Sequence, residues 1–208
     1  MQNHKNKMVT VILAAGASKR MGEPKQLLKW GDSTLLEEAI KKALQLKIDE
    51  VIVVLGANYD GIKPVINKYP ITILNNTDWE AGLGKSIAFA SEYILTCKPM
   101  FNGVFFVLSD QPFVSVTYLN NMLDVFKTCK SKIIATKYST NKVGVPVVFD
   151  GVYLSDLAKL TGDNGAKSIL KIHQDMLKTL APNFENKDID TKADYNKLRQ
   201  DIKKEKLY

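Results

Sequence analysis

Short apolar runs alternate with amphipathic segments along most of the chain. The runs have the length of buried strands, and they cover residues 9–13, 51–55, 71–74, 104–108, 133–136, 145–149 and 176–180. The intervening segments carry apolar side chains at helical spacing. They predict a helix opened by a capping box at residues 34–37, and further helices over 62–68, 86–95, 116–129, 153–160, 166–173 and 191–206. This alternation predicts an α/β fold whose parallel sheet is covered on both faces.

Two of the predicted helices have residues that bear on where the helix begins. The helix over 62–68 contains Pro64, which we place in its first turn, where proline is tolerated. The last helix follows Asp190 and Thr191, and either residue has a side chain suited to the N-cap position.

The composition fits a single domain. The chain has 208 residues and a hydrophobic fraction of 45%, which is ample for one core. No repeat, low-complexity segment or linker divides it, so we expect residues 1–208 to form one domain. No apolar run approaches the roughly 20 residues of a membrane span, and residues 1–7 are not followed by a signal-peptide pattern. We therefore expect a cytoplasmic protein with no membrane partner.

The charge narrows the ligand class only slightly. Lys and Arg number 29 and Asp and Glu 22, giving a net charge of +7, which suits nucleic acid, an acidic membrane or small anions. Part of the excess lies on the predicted last helix, where a solvated face is the simpler interpretation. No basic patch interleaved with aromatic residues is present, so we expect no nucleic-acid partner. The cysteines, Cys97 and Cys129, and the histidines, His4 and His173, lack metal-ligand spacing.

The loop after the first predicted strand is suited to an anion. Small residues at 14–18 let backbone N–H groups approach a ligand closely. Lys19, Arg20 and Lys25 follow within the same loop, and spaced cations suit a polyphosphate better than a single carboxylate. The loop stands at the carboxyl end of a strand, where open α/β sheets bind ligands. The segment therefore predicts a nucleotide site.

Two common phosphate loops are excluded. The Walker pattern requires a glycine five residues before Gly84-Lys85-Ser86, and Trp79 stands there. The dinucleotide pattern G-x-G-x-x-G does not follow the first strand. We therefore expect neither a P-loop NTPase nor a nicotinamide enzyme.

Two further segments follow predicted strands and carry polar groups. Asp110 comes directly after the strand at 104–108 and before Gln111-Pro112, a position from which a carboxylate can hold Mg²⁺ together with phosphate oxygens. After the strand at 71–74, a glycine-rich segment at 82–86 opens a helix, whose N-terminal amides favour an anion or a base carbonyl. A turn with Asp110, and a flexible turn capped by Ser86, are the simpler alternatives.

Residues 13–25 resemble a known family. They read L-A-A-G-A-S-K-R-M-G-E-P-K, similar to the signature L-A-x-G-x-x-x-R-M-G followed by P-K of the MobA-like NTP transferases. This family includes the cytidylyl- and guanylyltransferases of molybdenum cofactor assembly. The resemblance implies a three-layer, Rossmann-like nucleotidyltransferase fold with a mostly parallel sheet, similar to nucleotide-diphospho-sugar transferases. It further implies a nucleotide-binding N-terminal half and an acceptor-binding C-terminal half.

The resemblance also implies the residues of the nucleotide side. Arg20, Lys25 and Asp110 are the catalytic candidates, and Asp110 is the candidate Mg²⁺ ligand. The segment W-x-x-G-x-G-x-S at 79–86 is similar to the part of the family that contacts nucleobase and ribose. The nucleotide-binding candidates are Leu13, Ala14, Ala15, Gly16, Ser18, Arg20, Lys25, Asn75, Gly82, Gly84 and Ser86.

Acceptor-side segments are recognisable in the second half. Residues 160–167 resemble the family pattern L-x-G-D-x-G-A-K, and Gly144-Val145-Pro146 stands where many cytidylyltransferases have Gly-His-Pro. That departure leaves the acceptor open. The acceptor-binding candidates are Gly144, Pro146, Asp163, Gly165 and Lys167. Residues 188–191 resemble the family segment D-x-D-T, in which Asp190 is either a second metal ligand or the helix cap.

The implied activity is Mg²⁺-dependent transfer of a nucleoside monophosphate to a phosphate-bearing acceptor, with release of pyrophosphate. Ala15 stands in place of the first glycine of the L-A-G-G that is typical of the guanylyl branch. Together with Asp110-Gln111-Pro112 and the 160–167 segment, it favours CTP and a molybdopterin acceptor. A molybdoenzyme is then a possible partner. The alternatives are a guanylyltransferase, a sugar- or alditol-phosphate nucleotidyltransferase, and a non-catalytic, nucleotide-binding carrier of molybdenum cofactor.

Overall fold

A computed structural model describes residues 7–98, 100–184, 189 and 191–205. Its strands, in chain order β1 to β9, are Met8–Leu13, Lys29–Trp30, Ser33–Thr34, Glu50–Leu55, Thr72–Asn75, Gly103–Leu108, Ile133–Ser139, Lys142–Asp150 and Leu177–Leu180. Its helices, α1 to α7, are Leu35–Leu44, Tyr59–Ile66, Leu83–Thr96, Val116–Thr128, Leu154–Leu157, Lys167–Ile172 and Lys192–Glu205. None of the helices in these ranges is both long and apolar enough to span a membrane.

Seven strands form one twisted sheet in the order β5-β4-β1-β6-β8-β7-β9. The pairs β4–β5, β1–β4, β1–β6 and β7–β9 are parallel, whereas β8 is antiparallel to both β6 and β7. The prediction of a mostly parallel sheet is therefore confirmed. Leu13 is in register with both Val54 and Leu108, so the carboxyl ends of three central strands lie at one edge. That edge carries the loops predicted to bind ligand.

Helices cover both faces of the sheet, as the alternation predicts. Along β1, Val9, Val11 and Leu13 join one buried apolar cluster, and Met8 and Ile12 join the other. The first cluster is closed by α3, α5 and α6, and the second by α1, α2 and α4. A strand buried on both faces is apolar at nearly every position, which is why these strands are readable as continuous runs.

Several element boundaries differ from the prediction. The helix α2 begins at Tyr59, so Pro64 stands within the helix and the prediction that it lies in the first turn is wrong. The helix α3 begins at Leu83, three residues early, and the predicted helix over 153–160 is reduced to α5, after a 3₁₀ turn at Gly151–Tyr153. The start of α3 is set by contact with residues 161–163, which leaves no apolar period in the sequence.

The sequence gives no signal for two hairpins. The strands β7 and β8 continue well beyond their apolar runs into the polar residues 137–144 and are joined by a two-residue connection. The short strands β2 and β3 pair with each other, and beside them Leu28 and Leu35 pack with Met21, Ile189, Tyr195 and Leu198. We call this third apolar group, completed by the C-terminal helix α7, the C-terminal cluster.

Candidate active site

The loop at residues 14–18 is fixed by its carbonyl groups. The carbonyl of Ala15 accepts from Ala57 N (3.0 Å), and the carbonyls of Ala14 and Gly16 accept from Gln26 Nε2 (2.8 and 2.9 Å). Within the described part of the chain, the backbone N–H groups of Gly16, Ala17 and Ser18 have no protein acceptor. A loop held through its carbonyls in this way presents successive N–H groups to an anion.

Gln26 fixes this loop and was not among the residues that the sequence predicted for the site. Its side chain is 1% exposed, and besides the two loop carbonyls it accepts from Ser18 Oγ (3.4 Å). Ser18, with a positive φ of 56°, in turn accepts from the backbone N–H of Lys25 (3.1 Å). These contacts close the 14–25 segment upon itself. The only signal in the sequence is a neutral amide directly after Lys25, which no hydrophobic pattern distinguishes.

Lys25 and Asp110 meet at the floor of the site. Their side chains form a salt bridge and hydrogen bond through Lys25 Nζ and Asp110 Oδ2, and are 19% and 13% exposed. The parallel pairing of β1 with β6, continued by Ser109 N donating to the carbonyl of Leu13 (3.4 Å), brings the two loops side by side. Two catalytic candidates that are 85 residues apart in sequence are thus in direct contact.

The opposite wall is made by two glycine-rich segments that pack on each other. Gly84 N donates to the carbonyl of Gly162 (2.8 Å), and Gly162 N donates to the carbonyl of Ala81 (3.0 Å). A Cβ on Gly84 would stand 2.6 Å from the carbonyl oxygen of Thr161, so only glycine permits this approach. The N–H of Gly84 is therefore used within the protein, and this glycine shapes the wall.

Ser86 is anchored to the end of β5. Its hydroxyl accepts from Asn76 Nδ2 (3.1 Å), and both side chains are buried. Asn76 also accepts from Asp78 N (3.1 Å) and donates its own N–H to the carbonyl of Leu55 (2.8 Å). Asn76, rather than the neighbouring Asn75, is thus the residue that fixes this loop.

These walls enclose an open cleft of about 1030 Å³ at the carboxyl edge of the sheet. Cations concentrate on the loop side, at Lys19, Arg20 and Lys25, and Lys167 stands with Asp163 on the opposite side. The predicted site residues that line the cleft are Leu13, Ala14, Ala15, Gly16, Ser18, Arg20, Lys25, Gly82, Ser86, Asp110, Asp163 and Lys167. Lining residues outside that prediction are Ala17, Lys19, Gln26, Trp79, Glu80, Leu83, Leu108 and Ser109.

Four predicted residues, Asn75, Gly144, Pro146 and Gly165, are not among those that line the cleft. Asn75 lines an adjoining depression behind Trp79, and a Cβ on Gly165 would contact Leu83 Cδ2 at 3.1 Å. Gly144 and Pro146 lie on β8 beyond its last pair with β6, Phe106 with Val147, and Pro146 lines a small cavity under the Asp110 turn. Binding of the acceptor by these residues stays a prediction.

The C-terminal segment reaches the same floor. Ile189 donates its N–H to the carbonyl of Asp110 (3.4 Å). Thr191 and Asp194 form reciprocal cap contacts at the start of α7, with Asp194 N donating to Thr191 Oγ1 (3.2 Å) and Thr191 N to Asp194 Oδ2 (2.9 Å). Thr191 therefore fills the N-cap role that the sequence left open. Asp190, the other candidate, lies outside the described residues.

Comparisons with known proteins show what the chain is similar to. A family model described as MobA-like NTP transferase domain matches residues 10–179. The "nicotine blue oxidoreductase" of Paenarthrobacter nicotinovorans is 34% identical over 77% of this chain and 80% of its own length. The purine catabolism protein PucB of Bacillus subtilis is 27% identical over 93% and 96%. The molybdenum cofactor cytidylyltransferase of Escherichia coli is 37% identical, over 41% and 45%.

Solved structures share the whole fold. Rv0371c of Mycobacterium tuberculosis is 29% identical with a TM-score of 0.80, covering 93% of this chain and 97% of its own. The same protein was also solved as a complex with manganese, at 27% identity, a TM-score of 0.75, and coverage of 92% and 97%. A nucleotidyl transferase from Methanothermobacter, at 19% identity and a TM-score of 0.77, covers 96% of this chain and 99% of its own.

Proposed function

Since the chain belongs to the MobA-like NTP transferase family, we propose that it transfers CMP from CTP to a phosphate-bearing acceptor of the molybdopterin type. An oxygen of the acceptor phosphate bonds to the α-phosphorus, the bond from that phosphorus to the β-phosphate oxygen breaks, and pyrophosphate leaves. The observation that carries the proposal is the pairing of Lys25 with Asp110 beneath a loop of open backbone N–H groups.

In this proposal, the role of each group follows from its charge. The amides of 16–18 and Arg20 hold the β- and γ-phosphates, and Lys25 neutralises charge that develops on the α-phosphate. Before ligand binds, the carboxylate of Asp110 forms a salt bridge with Lys25, and this contact holds both side chains at the floor of the cleft. An acceptor phosphate is already an anion near neutral pH, so no general base is required, and catalysis is positioning plus electrostatics.

Asp110 fits a Mg²⁺ site that is completed by the substrate. In the described part of the chain no three His, Cys, Asp or Glu residues are grouped as a metal cage. Mg²⁺ needs only one or two carboxylates when phosphate oxygens and water fill the other positions, and the partly exposed carboxylate of Asp110 faces the cleft. The metal would supply charge neutralisation at the phosphates, and the manganese complex of Rv0371c supports a divalent cation in a related fold.

The choice of CTP rests on the loop and on one relative. Ala15 lines the cleft, is 6% exposed and belongs to the buried apolar cluster of that face, so the preference for CTP rests on the likeness of the loop to the cytidylyl branch. The identity of 37% to the Escherichia coli cytidylyltransferase supports the same nucleotide and a molybdopterin acceptor. Lys167 and Asp163 line the cleft across from the signature loop (residues 13–25) and are the acceptor-side groups of this proposal. Gly144, Pro146 and Gly165, which do not line the cleft, stay acceptor-binding candidates on the family resemblance alone.

A redox function is the alternative from another class, because the 34% identical relative is named an oxidoreductase. The loop after β1 lacks the dinucleotide pattern G-x-G-x-x-G, whereas its cations and open amides suit a triphosphate. Transfer is therefore the better-supported activity. A non-catalytic carrier would bind nucleotide without turnover and has no need of the Lys25–Asp110 pair.

The first test is calorimetric titration of CTP, GTP, ATP and UTP with Mg²⁺, on the wild type and on Asp110→Ala. We expect binding that favours CTP, needs Mg²⁺ and weakens in the variant. Pyrophosphate release is then followed with molybdopterin, sugar phosphates and alditol phosphates as acceptors. Preference for GTP would reassign the nucleotide, binding without turnover would favour the carrier, and a folded protein that binds no NTP would refute the transferase.

A further inference from the structure

Lys42 extends from the last turn of α1 toward the segment that follows Asp110. Its ammonium donates hydrogen bonds to two backbone carbonyls of that segment, those of Pro112 and Val114, the second at 2.9 Å. It lies 68 residues before Asp110 in sequence and does not line the cleft. The contact joins a helix of the fold to the turn that carries a catalytic candidate.

The placement of this ammonium is costly. Burial lowers the pKa of Lys42, and the nearby charge of Glu38 only partly opposes that effect. Glu38 itself is hydrogen-bonded to Ser33 and Lys41, so it acts on Lys42 through charge and not through a hydrogen bond. Buried charges are usually compensated by an opposite charge in direct contact. Here two carbonyl dipoles of one turn provide the compensation.

The turn at 110–114 separates two spaces. Asp110 lines the cleft and Ser109 lines both spaces, whereas Gln111, Pro112 and Val114 line only the other, a cavity of about 20 Å³, together with Lys42. Within the turn, Val114 N donates to the carbonyl of Gln111 (3.2 Å). The two carbonyls bound by Lys42 come two and four residues after Asp110, so the ammonium fixes the backbone immediately behind the carboxylate.

We propose that Lys42 is a positioning residue that holds the 110–114 turn, and thereby keeps the carboxylate of Asp110 in place opposite Lys25. The proposal rests on the proposed function in so far as Asp110 serves metal and nucleotide. Groups that orient a metal ligand from behind typically change metal affinity or activity by about 10–100-fold when they are removed. Lys42 orients Asp110 indirectly, by bonding the backbone carbonyls of the 110–114 turn.

The test compares Lys42→Met with Lys41→Met. Both replacements keep a long apolar side chain and remove one ammonium, but Lys41 bonds Glu38 at the surface and does not touch the turn. In Lys42→Met we expect kcat for pyrophosphate release to fall about 10–100-fold, and the Mg²⁺ concentration for half-maximal rate to rise. KM for NTP at saturating Mg²⁺ should stay within about twofold, and Lys41→Met should match the wild type. Lys42→Arg, which keeps the donors, should recover most of the rate.

Two outcomes would overturn the proposal. One is a Lys42→Met enzyme with the kcat and Mg²⁺ dependence of Lys41→Met. The other is a Lys42→Met protein with a lowered thermal midpoint and an unchanged Mg²⁺ dependence of the rate, which would mean that Lys42 contributes only to stability. Should Lys42→Met fail to fold, Lys42→Leu, which also lacks a donor, replaces it under the same criteria.

A measurement without substrate separates this inference from the proposed function. Hydrogen–deuterium exchange over residues 109–116 should be faster in Lys42→Met than in Lys41→Met, whether or not the protein transfers nucleotides. Equal exchange in the two variants would refute the role of Lys42. If exchange is faster in Lys42→Met and the wild-type protein transfers no nucleotide, the proposed transferase function is refuted, but the role of Lys42 in holding the turn is supported.

Discussion

At the scale of single residues, the site is defined by side chains that compensate each other. Lys25 and Asp110 neutralise one another in a partly buried position, and Gln26 satisfies loop carbonyls that would otherwise need water. The sequence predicts the first two because a cation and a carboxylate follow strand ends. It does not predict Gln26, since its role depends on which carbonyls the folded loop turns inward.

Replacing either partner of the central pair should abolish most of the activity. Lys25→Ala and Asp110→Ala should each lower kcat by about 10²–10³-fold or more, because each removes one preorganised charge from the reacting phosphates. Both variants should remain folded, since the pair lies on the floor of the cleft, outside the three buried apolar clusters. Steady-state pyrophosphate release and circular dichroism check the two statements.

Lys159→Ala is the matched control for that pair. It breaks an exposed ion pair with Asp156, whose side chains are 76% and 52% exposed, and it should leave kcat unchanged. Near wild-type turnover in Lys25→Ala or Asp110→Ala would remove that residue from the catalytic assignment.

At the scale of elements, local chemistry fixes some boundaries and tertiary contact fixes others. The capping box of Thr34 and Glu37 at the start of α1 is predicted and present. By contrast, α3 begins at Leu83, directly after Gly82, whose φ of 93° turns the chain against Gly162. The capping box involves only four consecutive residues, whereas the start of α3 depends on a segment some 80 residues away in sequence.

The start of α1 should give the stability a measurable pH dependence. Burial by itself raises the pKa of Glu37, but hydrogen bonds from Lys68, Thr34 and Tyr69 outweigh it and hold the pKa below its ordinary value of 4.5. The ionised carboxylate therefore stabilises the fold above that value, and this stabilisation is lost as the pH falls through the lowered pKa.

Urea unfolding at pH 7 and at successively lower pH tests this effect of Glu37. The free energy of unfolding of the wild type should fall more steeply with acidification than that of Glu37→Gln, and the two curves should converge at low pH. Parallel curves across the whole range would show that Glu37 contributes no such linkage.

At the scale of the whole molecule, the C-terminal cluster joins residues 21–35 to the C-terminal helix α7. Met21 and Leu28, on either side of Lys25, pack with Tyr195 and Leu198 of α7. Tyr195 also donates to the carbonyl of Lys29 (2.7 Å), and Lys192 pairs with Glu23 (3.4 Å). The C-terminal helix thus supports the signature loop from behind.

Leu198→Ala should therefore weaken both stability and nucleotide binding. Truncation of a buried leucine costs about 2–5 kcal/mol, and here the cavity would open beneath the signature loop. Leu123→Ala is the control, because Leu123 is equally buried but packs in the cluster on the α4 face. Calorimetry should show a lower NTP affinity for Leu198→Ala alone, and equal affinities in the two variants would contradict the coupling.

The sequence alone determined the fold class, the edge of the sheet that carries the site, and the charged residues of the signature loop and of Asp110. It did so because strands buried on both faces must be apolar throughout, and because loops at strand ends keep their polar residues. Only the tertiary structure decided that Lys25 contacts Asp110, that Gly84 packs against Gly162, and that β8 runs antiparallel. It also decided that Lys42 bonds the turn after Asp110, and that α7 packs against residues of the signature loop. Each of these depends on segments that are distant in sequence, and periodicity and caps report only on neighbouring residues.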